Sequence, residues 1–228
     1  MKNPYDTSVF EKHRWLSTIP GDRRPMLTVG LDLGQSRNYT ALAVLERNWV
    51  QATPEQFLAS AGRGYTGYFD YRITRLERLD LGTSYVDVAH HVKDHLDSIW
   101  YNCHKTLVID ATGVGSAVRD LFRSMKLNAN LVSVSIIGGQ NSTAVPGTSR
   151  GAGGQVVVTS RSEILTKLVT SVEQSHFTID PKLDHHRDTL FNELLHLRPT
   201  GKPGISTDSE GQDDLAFAVA LAVWWGLK

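Results

Sequence analysis

Three short runs, LTVGLDL (27–33), TLVIDA (106–111) and NLVSVSII (130–137), are mostly apolar and bounded by turn residues. Runs of this length read as strands rather than helices. TLVIDA has no polar face until its final residues, so it has to be covered on both sides. Between it and the third run lies GVGSAVRDLFRSM, which reads as a helix. A strand, a helix and a strand in that order imply a parallel pair with a right-handed crossover.

The rest of the chain fits around that unit. GQSRN makes a turn after the first run, and TALAVLERNWV (40–50) reads as a second strand. YFDYRITRLERLDLG (68–82) alternates apolar residues with Arg and Glu and reads as a half-exposed third strand. The three form an antiparallel meander, with residues 51–67 as a loop or insertion. TSYVDVAHHVKDHLDSIW places Val86, Ala89, Val92, Leu96 and Ile99 at helical spacing, with Thr83 or Ser84 as N-cap. Residues 138–155 contain six glycines and read as a flexible stretch. VVVTS is a short strand. SRSEILTKLVTSVEQ is a helix with Ser160 as N-cap and Glu163 placed to complete a capping box. HFTID (176–180) reads as a short strand, DHHRDTLFNELLHL as a helix and GKPGISTDSEGQ as a loop. DDLAFAVALAVWWGL is a closing helix, apolar on most sides and so mostly buried. The expected organisation is an N-terminal arm over residues 1–26 and one domain over 27–228. Its fold class is mixed α/β: a three-strand meander plus parallel strands in one sheet flanked by helices.

With 228 residues and 40% hydrophobic content the chain supports one real core. Lys plus Arg and Asp plus Glu each number 24, so a net charge of zero argues neither for nor against nucleic acid. Cys103 is the single cysteine, which excludes a disulfide within the chain and suits a cytoplasmic setting. The N-terminus lacks the apolar core of a signal peptide. The longest apolar run, Ala216–Val223, is short of the roughly 20 residues that span a bilayer. A soluble protein without a membrane partner is expected.

Two of the apolar strands carry a carboxylate. Asp32 lies between apolar residues in GLDLG, and Asp110 ends VIDATG; Asp213 and Asp214 open the closing helix. A carboxylate buried alone is costly, and neither strand offers an adjacent Lys or Arg. If the first and fourth strands are neighbours, Asp32 and Asp110 converge, and a helix start could bring Asp213 or Asp214 beside them. Such a group repels itself unless cations lie within it, and hard oxygen ligands suit Mg²⁺ or Mn²⁺. Two such ions about 4 Å apart can activate a water and stabilise the leaving oxygen in phosphodiester hydrolysis. Taken singly, Asp110 could instead cap the turn that follows it, and Asp213 could be only a helix N-cap. Asp32 has no such bland role.

GLDLGQSRNYTALAVLE, VIDATGVGSAVRDLF and GQDDLAFAVALAVWW, with VVVTSRSEILTKLVTSVEQ between the last two, resemble the nuclease domain of phage terminase large subunits. The resemblance runs over about residues 27–226. It implies an RNase H-like fold and metal-dependent endonuclease cleavage of double-stranded DNA during genome packaging. The catalytic and metal-binding residues it implies are Asp32, Asp110, Asp213 and Asp214; adjacent helical positions point about 100° apart, so which of the last two faces the metal directly is open. It also implies an ATPase motor domain, a portal or a small terminase subunit as partners, and the host cytoplasm as the setting. Gln212 stands where the family often has His, and Asn38 and Tyr39 where it often has an acidic residue. No GxxxxGK[ST] motif is present. The chain is therefore expected to be an isolated domain, an incomplete subunit or a separate small nuclease.

Arg150, in the glycine-rich stretch, and Arg161 are candidate DNA contacts. By strand parity Arg72 and Arg78 share a face and Arg75 lies opposite. His91 and His95 stand at helical ligand spacing, but without an HExxH motif they and His90, His185 and His186 read as solvated faces. Trp224 and Trp225 read as packing residues. Three other functions remain open: a Holliday-junction resolvase-like nuclease, an actin-like or sugar-kinase-type ATP-binding domain suggested by DLGQSRNYT, and an inactive scaffold that binds DNA or a partner.

Overall fold

In the computed structural model the described residues are 23–34, 38–59, 67–99, 103–112, 115–137, 149–151, 154–199, 205–207 and 213–228. The arm expected over residues 1–26 lies outside them up to residue 22. Strand β1 (Met26–Asp32) is central. It pairs antiparallel with β2 (Thr40–Gln51) on one side and parallel with β4 (His104–Asp110) on the other. β3 (Gly67–Leu79) runs antiparallel to β2. β5 (Asn130–Ile136) is parallel to β4, and β7 (Gly154–Thr159) is parallel to β5. β6 (Ser149–Gly151) and β8 (Thr178–Ile179) close the two edges, giving the order β6-β7-β5-β4-β1-β2-β3-β8. Within β3-β2-β1-β4-β5 only β2 is reversed. This is the RNase H-like mixed sheet, a three-strand meander extended by parallel strands.

Helices cover both faces. On one, α2 (Tyr85–Ser98) and α3 (Gly115–Ser124) pack Val88, Val92, Leu96 and Phe122 onto Leu27, Val29, Leu31, Leu107 and Ile109. On the other, α4 (Arg161–Glu173), α5 (Asp184–His196) and α6 (Asp214–Gly226) cover Ala41, Ala43, Val108, Val132 and Val134. α6 lies between the sheet and the other two, and every residue from Asp214 to Trp224 is buried. That location explains why its sequence is apolar all round. Among the described residues no helix is long and apolar enough to cross a membrane.

One glycine sets how closely α6 approaches. A Cβ at Gly30 would lie 2.0 Å from the Ala218 carbonyl oxygen and 2.8 Å from the Ala222 nitrogen. At the far end of α6, a Cβ at Gly226 would lie 3.0 Å from Thr28 Oγ1. The helix therefore runs down β1 against the strand direction, and its N-terminus overhangs the C-terminal end of β1.

The structure departs from the sequence expectations in four places. Within residues 51–67, Pro54–Ala59 form a short helix, α1. The glycine-rich stretch contributes β6 and the start of β7, while 138–148 and 152–153 lie outside the described residues. The expected loop before α6 contains β10 (Ile205–Thr207), paired antiparallel with β9 (Leu197–Pro199). Finally, β3 carries a bulge: Val44 faces Arg75 and Leu45 faces Ile73, which leaves Thr74 unmatched. An extra residue swaps the faces that follow it. Ile73 and Leu76 therefore both enter the α6-side core. Arg72 and Arg78 end on opposite faces, correcting the parity expectation, and Arg78 points to the α6 side.

Candidate active site

The parallel register Leu31↔Ile109 brings the next residues of β1 and β4, Asp32 and Asp110, side by side at the C-terminal ends of their strands. Asp32 shares strand parity with Gly30, and Asp110 with Val108, so both carboxylates face α6. Two strand residues rise about 6.6 Å and four helix residues about 6 Å. Asp32 stands two residues above Gly30, and Asp214 stands four residues above Ala218, its contact. The close approach at Gly30 thus brings the start of α6 level with the two strand carboxylates.

Electrostatics register the meeting. Asp32 is held well above the usual carboxylate range, first by burial. Arg161 opposes the shift, and Asp110, Asp214 and Asp213 add to it. Asp214 is also raised, first by burial, with Asp213 adding; Arg78, the Tyr39 backbone N–H and Arg161 oppose. The four aspartates picked out in the sequence therefore come together in one place.

Asp110 Oδ1 does accept the Thr112 backbone N–H at 2.8 Å, so one of its oxygens serves the turn. Asp213 occupies the N-cap position of α6, but its side chain makes no capping hydrogen bond. Arg161 Nη2 donates to Asp213 Oδ2 instead, and its guanidinium lies 3.8 Å from the Phe217 ring centroid. Arg161, read from sequence as a DNA contact, is thus engaged within the cluster. The Arg150 side chain lies outside the described residues.

Glu193 of α5 was missed by the sequence reading. It is 5% exposed. Its Oε2 accepts the Ala216 backbone N–H at 2.7 Å, so a residue from another helix caps α6. Its Oε1 accepts from Arg78 Nη2. Burial, the largest effect, pushes its carboxyl up to about 7 against the Ala216 N–H and Arg78, and Asp214 and Asp213 add to the rise. The available signal was a charge on an apolar stripe, since Leu190, Glu193 and Leu197 stand at helical spacing. Arg78 was also missed, because the bulge hid its face. It lies 5.1 Å from the Tyr39 ring centroid, and its Nη2 is 3.6 Å from Asp214 Oδ2. That oxygen is buried and accepts no hydrogen bond.

Among the described residues, five carboxylates thus stand against two guanidinium groups. Hard oxygen donors in excess, one with a buried unfilled acceptor, suit a divalent cation such as Mg²⁺ or Mn²⁺. Among the described residues no three Asp, Glu, His or Cys side chains already stand close enough to grip an ion. Arg161 holds Asp213, and Arg78 stands 3.6 Å from Asp214 Oδ2 without a hydrogen bond to it. The opposite face offers no rival cluster among the described residues. His91 Nε2 and Glu77 Oε2 are 2.8 Å apart, and both His95 ring nitrogens are buried without a hydrogen bond. The expectation of a freely solvated histidine face therefore fails for His95. Trp224 packs in the core and donates from Nε1 to Glu163 Oε1 at 3.1 Å. That carboxylate also accepts from Thr159 Oγ1 at 2.8 Å. Glu163 therefore ties α4 to α6 rather than closing the expected capping box, although Ser160 Oγ does accept the Glu163 N–H.

No family model matches this chain, and no curated protein does. Among solved structures, the human cytomegalovirus terminase nuclease domain, Mn soaked, is similar at 13% identity and a TM-score of 0.49. The match covers 91% of this chain and 86% of that one. The strand order, independent of this likeness, defines the fold.

Proposed function

We propose that the chain is a divalent-metal-dependent endonuclease of the terminase large-subunit type, cutting double-stranded DNA during genome packaging. The observation that carries this reading is the convergence of Asp32, Asp110, Asp213 and Asp214 at one end of the sheet. Asp32, Asp110 and Asp214 would be the ligands of Mg²⁺ or Mn²⁺, since Asp213 is bound to Arg161 and Asp214 has an unfilled oxygen. Two ions so held would supply an activated water and a stabilised leaving oxygen. Burial under α6 lowers the local dielectric, which strengthens the pull of the carboxylates on cations. The partners implied by the sequence resemblance, an ATPase motor domain, a portal or a small terminase subunit, belong to the same reading.

Cleavage of linear duplex DNA with Mn²⁺, Mg²⁺ or EDTA tests it. Cutting should require metal and be lost in Asp32→Asn and Asp110→Asn while both variants stay folded. Full cleavage by either variant would overturn the assignment. Cutting confined to four-way junctions would favour a resolvase, and nucleotide binding without cleavage would favour the actin-like reading.

A further inference from the structure

We propose that Glu193 is a positioning residue whose carboxylate keeps Arg78 off Asp214, leaving Asp214 Oδ2 open to a cation. This deepens the nuclease reading and rests on it. A single nitrogen, Arg78 Nη2, faces both acids. It is hydrogen-bonded to Glu193 Oε1 and stands 3.6 Å from Asp214 Oδ2. The arginine is half-buried under Tyr39, and its Nε is itself buried without a hydrogen bond. A guanidinium in that setting takes whichever carboxylate is strongest and nearest. Glu193 wins because its other oxygen is fixed by the Ala216 N–H at 2.7 Å. That bond anchors it to the first turn of the same helix that carries Asp214. The distance between the two acids is therefore set by α6 itself.

Removal of the Glu193 charge has a defined consequence. A glutamine in its place can still accept from Ala216 but presents no negative charge to Arg78. The guanidinium then closes the remaining gap to Asp214 and fills the oxygen that a cation would use. Arg78 becomes a competitor of the metal.

Mn²⁺ binding to the whole chain at pH 8, read from the paramagnetic resonance signal of the free ion, tests this without any cleavage step. Glu193→Gln should weaken Mn²⁺ binding by roughly tenfold or more, the scale of a lost outer-sphere partner. Arg78→Met in the same chain should restore it, and Arg78→Met alone should bind Mn²⁺ at least as tightly as the wild type. Unchanged affinity in Glu193→Gln, or a loss that Arg78→Met does not repair, overturns the proposal. Should Glu193→Gln fail to fold, the single Arg78→Met variant decides: weaker binding than wild type overturns the proposal, and equal or tighter binding upholds it. A wild-type chain that binds no Mn²⁺ sinks the metal reading itself, whereas wild-type binding with an indifferent Glu193→Gln sinks only this one.

Discussion

Gly30→Ala adds one methyl group to a residue with no functional atom, and it should disable the site. The new Cβ would sit 2.0 Å from the Ala218 carbonyl oxygen and 2.8 Å from the Ala222 nitrogen. Close carbon–oxygen approaches are roughly 3.3–3.6 Å, so helix and strand must part by more than ~1 Å. Both obstacles are backbone atoms, and no rotamer change relieves them. Overpacking of this kind costs about 2 kcal/mol. For a chain of this length that corresponds to a fall of about 4–8 °C in Tm. The same retreat lifts Asp214 away from Asp32 and Asp110. Misplacement by ~1 Å can cost on the order of 10²-fold in rate. Calorimetric melting and metal-dependent cleavage, measured on the same preparation, separate the two effects. A variant that melts within a degree of the wild type and cuts at full rate would refute the packing argument, because α6 would then not be locked to β1.

Asp32→Asn should raise the Tm of the metal-free protein at neutral pH. The wild-type carboxyl is raised in the fold, so the stability it contributes is full below its ordinary range and is lost as pH rises through its folded value. The advantage of the variant should therefore vanish near pH 4, and added Mn²⁺ should raise the wild-type Tm but not the variant's. His95 behaves in the opposite sense. Burial, the largest cause, holds it at about 4 against an ordinary 6.5, so its contribution is lost as pH falls between those values. His95→Gln should flatten the fall of Tm between pH 6.5 and 4.5; an unchanged slope would contradict this. Deletion of Thr74 should remove the bulge, turn Leu76 and Arg78 to the opposite face and lower the Tm, because Leu76 leaves the α6-side core and buried Glu193 loses its guanidinium partner; an unchanged Tm in calorimetric melting would contradict this.

Much of this architecture was legible in the chain. The meander, the crossover and the buried closing helix follow from apolar periodicity, and the four aspartates stand out because the residues around Asp32 are all apolar. Other features depend on groups far away in sequence or on local irregularities. Strand parity misplaced Arg78, because nothing in YFDYRITRLERL announces that Thr74 is unmatched. Glu193 was hidden because its partners come from β3 and α6, far away in sequence. The hydroxyl partners of Glu163 were local, but the indole of Trp224 that draws its carboxylate away from the capping box was not. Local rules succeed where a residue answers to its neighbours along the chain and fail where a distant group outbids them.

Manganese anomalous scattering from soaked crystals would examine the acidic cluster directly. Peaks bounded by Asp32, Asp110 and Asp214, with Arg78 still on Glu193, are the predicted result. Crystals saturated with Mn²⁺ that show no peak among those side chains would contradict the account.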